Sequence, residues 1–331
     1  MQKNEILDAL RASDASSLFK TAYRTRNDTF GQEVFQRGVV EFSTHCRKNC
    51  QYCGLRAANV ALKRFRLSTE EIIAAAHCAI EAGMGTVVLQ SGEEQLDIRR
   101  VGGIIEKIKN LSDVSVTLSL GDHDEDTYRY WLDCGADRYL LKMETFDETL
   151  HARMRPGQTM KERLRRVNML CRLGFETGSG IISGLPYMTQ EMLADDLLKL
   201  SDMSLDMIAV GPFVPHPDTP LAPYSAGSME EALRVTALLR IMNPKANIPA
   251  TSALDALDVN GREKGLHAGA NVVMPSVTPE FVRARYNIYP GKNNASEPVQ
   301  ELIERLQQRL CNAGYKPSSA RGASPAYRKT A

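Results

Sequence analysis

Four times along this chain a glycine stands between the end of a helical pattern and the start of a β-rich run, in EAGMGTVVL, DCGADRYLL, RLGFETGSG and HAGANVVMP. Glycine lets a helix leave its last turn through the left-handed conformation, so Gly83, Gly135, Gly174 and Gly269 read as helix C-caps. Around these junctions short β-rich runs alternate with amphipathic windows. The runs are VVEFST from Val39, TVVLQ from Thr86, VSVTLSL from Val114, DRYLLKME from Asp137, ETGSGIISG from Glu176, MIAVGPF from Met207, IPATSAL from Ile248 and NVVMPS from Asn271. Windows such as TEEIIAAAHCAIEAG repeat apolar residues at helical spacing and carry acidic residues in the first turn. Such alternation indicates parallel β/α units, and eight of them fit a closed barrel better than an open sheet with a second domain. The expected fold is α/β, a single (βα)8 TIM barrel over residues 35–292. A helical extension (1–34) precedes it and a C-terminal helix and tail (293–331) follow. The Ser/Ala/Arg-rich tail from Pro317 reads as mobile or loosely docked.

Composition narrows the partners. Forty-one basic and 40 acidic residues leave a formal charge of +1, and the basic stretches are short and interrupted. A nucleic-acid or anionic-membrane partner therefore has no electrostatic support, and the expected partner is a small molecule or a protein. The N-terminus lacks an apolar h-region, and no later stretch supplies the roughly 18 uncharged residues that a spanning helix needs. The chain is expected to be soluble and cytoplasmic. Seven cysteines is an odd count in a chain too core-rich to need a disulfide framework, so the thiols are read as reduced and available to metal.

In such a barrel, catalytic groups gather at the C-terminal ends of the strands and in the loops that follow. The loop after the first strand reads His45-Cys46-Arg47-Lys48-Asn49-Cys50-Gln51-Tyr52-Cys53-Gly54, a C-x3-C-x2-C spacing. Three thiolates on one loop can hold three irons of a 4Fe-4S cubane and leave the fourth iron open to a reactant. A structural zinc site would need four closed ligands, recruiting His45 or a distant residue, and no second C-x2-C pair exists to complete it. Cys78, Cys134, Cys171 and Cys311 lack partner spacing and read as buried small apolar residues.

The cysteine spacing, with Tyr52 directly before the third thiol, resembles the radical S-adenosylmethionine (SAM) superfamily. That resemblance implies that SAM chelates the open iron and is cleaved by an electron from the cluster. Ser91-Gly92-Glu93, after the second strand, resembles the superfamily's Gly-Gly-Glu motif, implied to receive the SAM ammonium group. Gly180-Ile181-Ile182-Ser183-Gly184 resembles the pattern that packs against adenine. Ser119 ends the third strand on the same face as Thr117. Glu144, at the end of the fourth strand, can accept both ribose hydroxyls. The SAM carboxylate calls for a cation, for which Arg163 is preferred over Arg155. Tyr286 and Tyr289, beyond the eighth strand, are placed to close the mouth.

A closer resemblance rests on EFSTHCRKNCQYCGLR, VVLQSGEE, VTLSLGD, ADRYLLKMET, MRPGQT, GFETGSG, GPFVPHPDTPLA, IPATSAL and NVVMPSVTP. Together these are similar to the HydE family of FeFe-hydrogenase maturases, relatives of biotin synthase, over residues 35–292. The resemblance implies partnership with the maturases HydG and HydF and a reductant such as ferredoxin or flavodoxin. It implies a cysteine-bound iron carbonyl cyanide substrate lying deeper in the barrel, near Gln90, Thr117, Thr251, Ser252 and Met274. Two departures are visible. Tyr289-Pro290-Gly291-Lys292 is followed only by Asn293, Asn294 and a distant Cys311, so an auxiliary second cluster is not expected. Lys142-Met143 stands where some relatives carry Arg-His. The alternatives are another biotin-synthase-branch enzyme, such as a methylornithine synthase or a HydE-like mutase, and an iron-sulfur electron carrier.

Overall fold

The computed structural model describes residues 1–293 and 297–328; Asn294 falls outside them. Helices α1 (Lys3–Arg11) and α2 (Ser16–Phe30) lead into β1 (Glu33–Ser43), which begins six residues before the expected Val39. There follow α3 (Thr69–Glu81), β2 (Thr86–Ser91), α4 (Ile98–Leu111), β3 (Ser115–Ser119), α5 (Glu125–Asp133), β4 (Arg138–Leu140), α6 (Glu148–Met154) and α7 (Met160–Leu173). The second half comprises β5 (Glu176–Ser183), α8 (Gln190–Asp202), β6 (Met207–Pro212), α9 (Met229–Met242), α10 (Ser252–Leu257), α11 (Gly261–His267) and β7 (Val272–Val273). It ends with α12 (Glu280–Arg283), α13 (Val299–Asn312) and β8 (Lys316–Ser318). Ser68, Asp97, Asp124, Asp147, Thr159, Thr189 and Ser228 each accept a backbone N–H at a helix start, which fixes where the barrel helices begin. The four cap glycines all take positive φ, between 78° at Gly83 and 110° at Gly269.

Every strand pairing is parallel, in the order β6-β5-β4-β3-β2-β1-β7, with β8 beside the first residues of β1. The run at Ile248 does not form the expected strand. Pro249 has no N–H, the Ile248 N–H is taken by the Asn271 side chain at 2.9 Å, and α10 begins at residue 252. What remains is a pair of single bridges, Met207 to Asn247 and Pro249 to Val272, which join the two ends of the sheet. The DRYLLKME run is likewise shorter than expected. It is paired at Arg138–Leu140, then again only where Glu144 bridges Ile181.

Alternation sorts the side chains. Val87, Leu89, Val116 and Leu118 join Ile72, Ile104, Ile105 and Trp131 in the apolar layer between sheet and helices. The opposite face fills the barrel. At its N-terminal end lies a polar floor, where fully buried Arg138 pairs with Glu176 at 2.5 Å. The tail, expected to be loose, is docked there. The Arg321 carbonyl accepts from Arg138 and Thr86, the Gly322 carbonyl from Arg37 and Asn247, and the Ser324 N–H donates to Glu176. Buried donors need acceptors, and a polar, small-residue segment can thread its carbonyls among them where a bulkier one cannot. No helix among the described residues is long and apolar enough to cross a membrane.

Candidate functional site

The loop that carries the three cysteines has no regular secondary structure but is fixed by many bonds. Its ends are zipped together: Leu67 N–H donates to Phe42 O, and Thr44 and Phe65 exchange bonds through backbone and hydroxyl. Inside, the Arg64 guanidinium donates to the carbonyls of Thr44 (2.5 Å), Leu55 (3.0 Å), Arg56 (2.8 Å) and Asn59 (3.3 Å). Asn59 in turn donates to Gly54 O, and Ala58 N–H donates to the Asn49 side chain. Two glycines allow the close approaches. A Cβ on Gly92 would lie 2.3 Å from His45 O and 2.9 Å from the Cys46 Cβ, and one on Gly54 would meet Asn287 O at 2.2 Å. Gly92 therefore serves the approach of the chain after β2 to the cysteine loop.

Cys46, Cys50 and Cys53 all face a cavity of about 310 Å³ at the C-terminal ends of the strands. Cys50 is buried and the other two half-buried. Burial, then the neighbouring Cys50 thiol, pushes Cys53 up, and burial does the same to Cys46. Three thiolates this close repel one another unless a cationic group sits among them. Among the described residues no three His, Cys, Asp or Glu side chains converge on a single-ion position. Ligands to separate corners of a cubane need not converge, so the donor set fits a multi-iron cluster. Of the remaining cysteines, Cys134 is buried as expected, but Cys171 and Cys311 are exposed and do not act as core residues.

Around the thiols lies a charge network that only partly matches expectation. Arg155 and Arg163 both donate to Glu93 Oε1, at 2.9 and 3.1 Å, and Arg163 also reaches Asp122 at 2.8 Å and Lys142 O at 2.9 Å. Lys48 approaches Glu93 and Asp122 from the cysteine loop at 3.7 and 3.8 Å. Burial works to raise the Glu93 pKa, but Arg163, Arg155 and Lys48 outweigh it and hold the carboxylate ionised. Arg155 also meets the Tyr52 hydroxyl at 3.3 Å. Both arginines line the cavity, Arg155 beside the favoured Arg163. Asp122, Lys48 and Arg64 were not anticipated, and Lys142 was marked only as a departure from relatives.

Glu144 is buried at the cavity wall with φ +68°, a left-handed conformation that L side chains seldom adopt. Its backbone is held there by Gly180 O and Ile182 N–H, and Lys142 Nζ lies 3.0 Å from Oε2. Strain of this kind persists where the surrounding structure over-determines it, as at ligand-binding positions. Ser91, Gly92, Ser119 and Tyr289 also line the cavity, as do Gln90, Thr251, Ser252 and Met274. Tyr289 is tied to Ser252 by a 2.7 Å hydroxyl pair, and Tyr286 lines the same wall. Two expected residues do not reach the cavity. Ser183 lies on the face opposite Ile182, which lines the cavity in its place, and Thr117 is buried one pleat below Ser119; the hydroxyls of both lack partners. His216 is buried against Gly54, its Nδ1 accepting from Asp218 N–H, and does not line the cavity.

Comparison with known proteins agrees with this geometry. The radical SAM superfamily model matches residues 40–200, from β1 through α8. The chain is 44% identical to the FeFe-hydrogenase maturase subunit HydE of Thermotoga maritima over 302 residues, covering 91% of this chain and 86% of that one. It is 30% identical to the 3-methylornithine synthase of Methanosarcina acetivorans over 92% of its length and 86% of the relative's. The crystal structure of methylornithine synthase (PylB) superposes with a TM-score of 0.84 at 28% identity, over 96% of this chain and 94% of that one. A crystal structure of HydG, at 19% identity and TM-score 0.81, shares the fold. A relative 44% identical across nine-tenths of the chain, with three thiols at the mouth of a matching barrel, makes this protein a radical SAM enzyme of the HydE family.

Proposed function

We propose that the protein is a HydE-type FeFe-hydrogenase maturase working in the cytoplasm. Cys46, Cys50 and Cys53 hold one 4Fe-4S cluster, and SAM occupies the cavity beside it. The observation that carries this reading is the joint placement of three thiols, the Glu93–Arg155–Arg163 network and the strained Glu144 around one cavity. The cluster, when bound and reduced, supplies the electron that breaks the sulfur–C5′ bond of SAM. The protein's own residues orient SAM. Carbonyls at Ser91–Gly92 face its ammonium group, Glu144 takes the ribose hydroxyls, and Arg155 or Arg163 balances its carboxylate. Ser119 and Tyr289 complete the contacts, and Ile182 takes the adenine-packing place expected of Ser183.

Lys48, Lys142, Arg155, Arg163 and Lys292 line the cavity with Glu93 and Glu144, and Asp122 and Glu41 pair with Arg163 and Lys292 just behind the wall. The substrate is a small species such as a cysteine-bound iron carbonyl cyanide, with Gln90, Thr251, Ser252 and Met274 among the residues that would meet it. Methylornithine synthase activity is the second reading, favoured by the closeness of that superposition. The higher identity to HydE over a similar span ranks it second. HydG and HydF are the expected maturation partners, and ferredoxin or flavodoxin the reductant.

The test is anaerobic iron-sulfur reconstitution, reduction with dithionite and assay of 5′-deoxyadenosine. Wild type is expected to release it and the Cys46/Cys50/Cys53 triple-alanine variant to release none. Absence from iron-loaded wild type would sink the reading. Addition of product from HydG, scored by activation of apo-hydrogenase, separates maturase from methylornithine synthase.

A further inference from the structure

Between Thr44 and Ser68 the chain carries six cations, Arg47, Lys48, Arg56, Lys63, Arg64 and Arg66, and no Asp or Glu, although its overall formal charge is +1. Two of the six have carboxylate partners: Lys48 turns inward to Glu93 and Asp122, and Arg66 reaches Glu94. Arg64 spends its donors on backbone carbonyls, so its charge is not neutralised. Among the described residues no carboxylate pairs with Arg47, Arg56 or Lys63, and Arg47 and Lys63 are exposed. Within the same stretch lies an exposed apolar patch of Ala57, Ala58, Val60 and Ala61, with Val60 94% exposed. The patch is stitched directly onto the segment between the first two cysteines: Ala57 N–H donates to Lys48 O at 2.8 Å and Ala58 N–H to the Asn49 side chain at 2.9 Å. The cavity lies on the other side of the same loop.

We propose that this face, Arg47, Lys63 and the Ala57–Ala61 patch, is the docking surface for an acidic one-electron carrier protein. The inference rests on the cluster assignment above. Exposed apolar residues on the same loop as uncompensated cations suit a small transient interface, in which the charges steer encounter and the apolar residues set contact. Electron tunnelling falls steeply with distance, and this face is built on the loop that carries the cysteine ligands. One electron passes from the reduced carrier to the cluster, leaving the carrier oxidised by one unit. Each SAM cleaved to methionine and a deoxyadenosyl radical consumes that electron, so the site must be recharged from outside once per cleavage.

The test uses Arg47→Glu/Lys63→Glu, Val60→Asp and, as a control at the far end of the barrel, Lys316→Glu. Each is reconstituted and its iron content matched to wild type. Two quantities are read: the Kd of a purified flavodoxin at low and high salt, and deoxyadenosine formation driven by reduced flavodoxin or by dithionite. The double charge reversal is expected to weaken flavodoxin binding roughly tenfold at low salt and to flatten its salt dependence. It should slow flavodoxin-driven cleavage similarly while dithionite-driven cleavage stays at wild-type rate. Val60→Asp is expected to weaken binding at both salt levels. Unchanged Kd in the double variant, or equal weakening in Lys316→Glu, overturns the docking surface. Failure of wild type to cleave SAM with dithionite overturns the proposed function instead, and the binding measurement still decides the surface.

Discussion

Asp196, in α8, is a buried carboxyl that touches no cation. It accepts the Phe146 N–H at 2.6 Å and so holds the loop that follows Glu144. Burial pushes its pKa up to about 7. Because the folded value lies above the unfolded one, the native state binds the extra proton. The associated stability is complete below about pH 4 and is lost as pH rises toward 7. Asp196→Asn keeps an acceptor for Phe146 and removes the titration, so it should flatten the fall of Tm over that interval. At pH 8 it should gain on the order of 2 kcal/mol. Thermal melts from pH 4 to 8 check this, and a wild-type-like slope in the variant would contradict it. No periodicity or spacing flags Asp196 or Asp122, because each matters through a fold-level contact. The three cysteines, Ser91-Gly92-Glu93 and Glu144 were legible because their chemistry is local or sits at a strand end.

At the scale of elements, the cysteine loop depends on one side chain. Removing the Arg64 guanidinium leaves four carbonyls without their donor, each costing about 1 kcal/mol or more where water cannot replace it. Arg64→Met is expected to keep the barrel melt within a few degrees yet release iron to a chelator at least tenfold faster. Iron loss at the wild-type rate would show that the loop holds without it. Strands were easier to foresee than their ends. Alternation and glycine caps located six of the eight staves near their true positions. The seventh was misjudged because IPATSAL has strand composition while Pro249 and the Asn271 side chain take over its ladder. β4 was overextended because Tyr139, Leu140 and Leu141 set a strand pattern that the left-handed Glu144 interrupts.

Across the whole molecule, the greatest departure from expectation is the tail. Its polar, small-residue composition matches that of disordered segments. It is ordered because Arg37, Arg138, Glu176 and Asn247, far away in sequence, leave buried groups that need its backbone. Truncation after Gly314 removes β8 and these acceptors. It is expected to cost on the order of 3 kcal/mol and to lower Tm by roughly 5 °C or more. An unchanged melt would mean that water can fill the floor as well as the tail does.

β1 is where this architecture closes, since it pairs with β2 on one side and with both β7 and β8 on the other, through residues as distant as Glu33 and Lys316. The first strand to leave the ribosome is thus the last to be completed. Loop-closure entropy makes such distant pairings slow. For all of that interval the three thiols just beyond β1 are already synthesised but not yet enclosed. The geometry that protects the metal centre therefore arrives after the ligands do, and oxygen or stray metal has its best access to them while the chain is still being made.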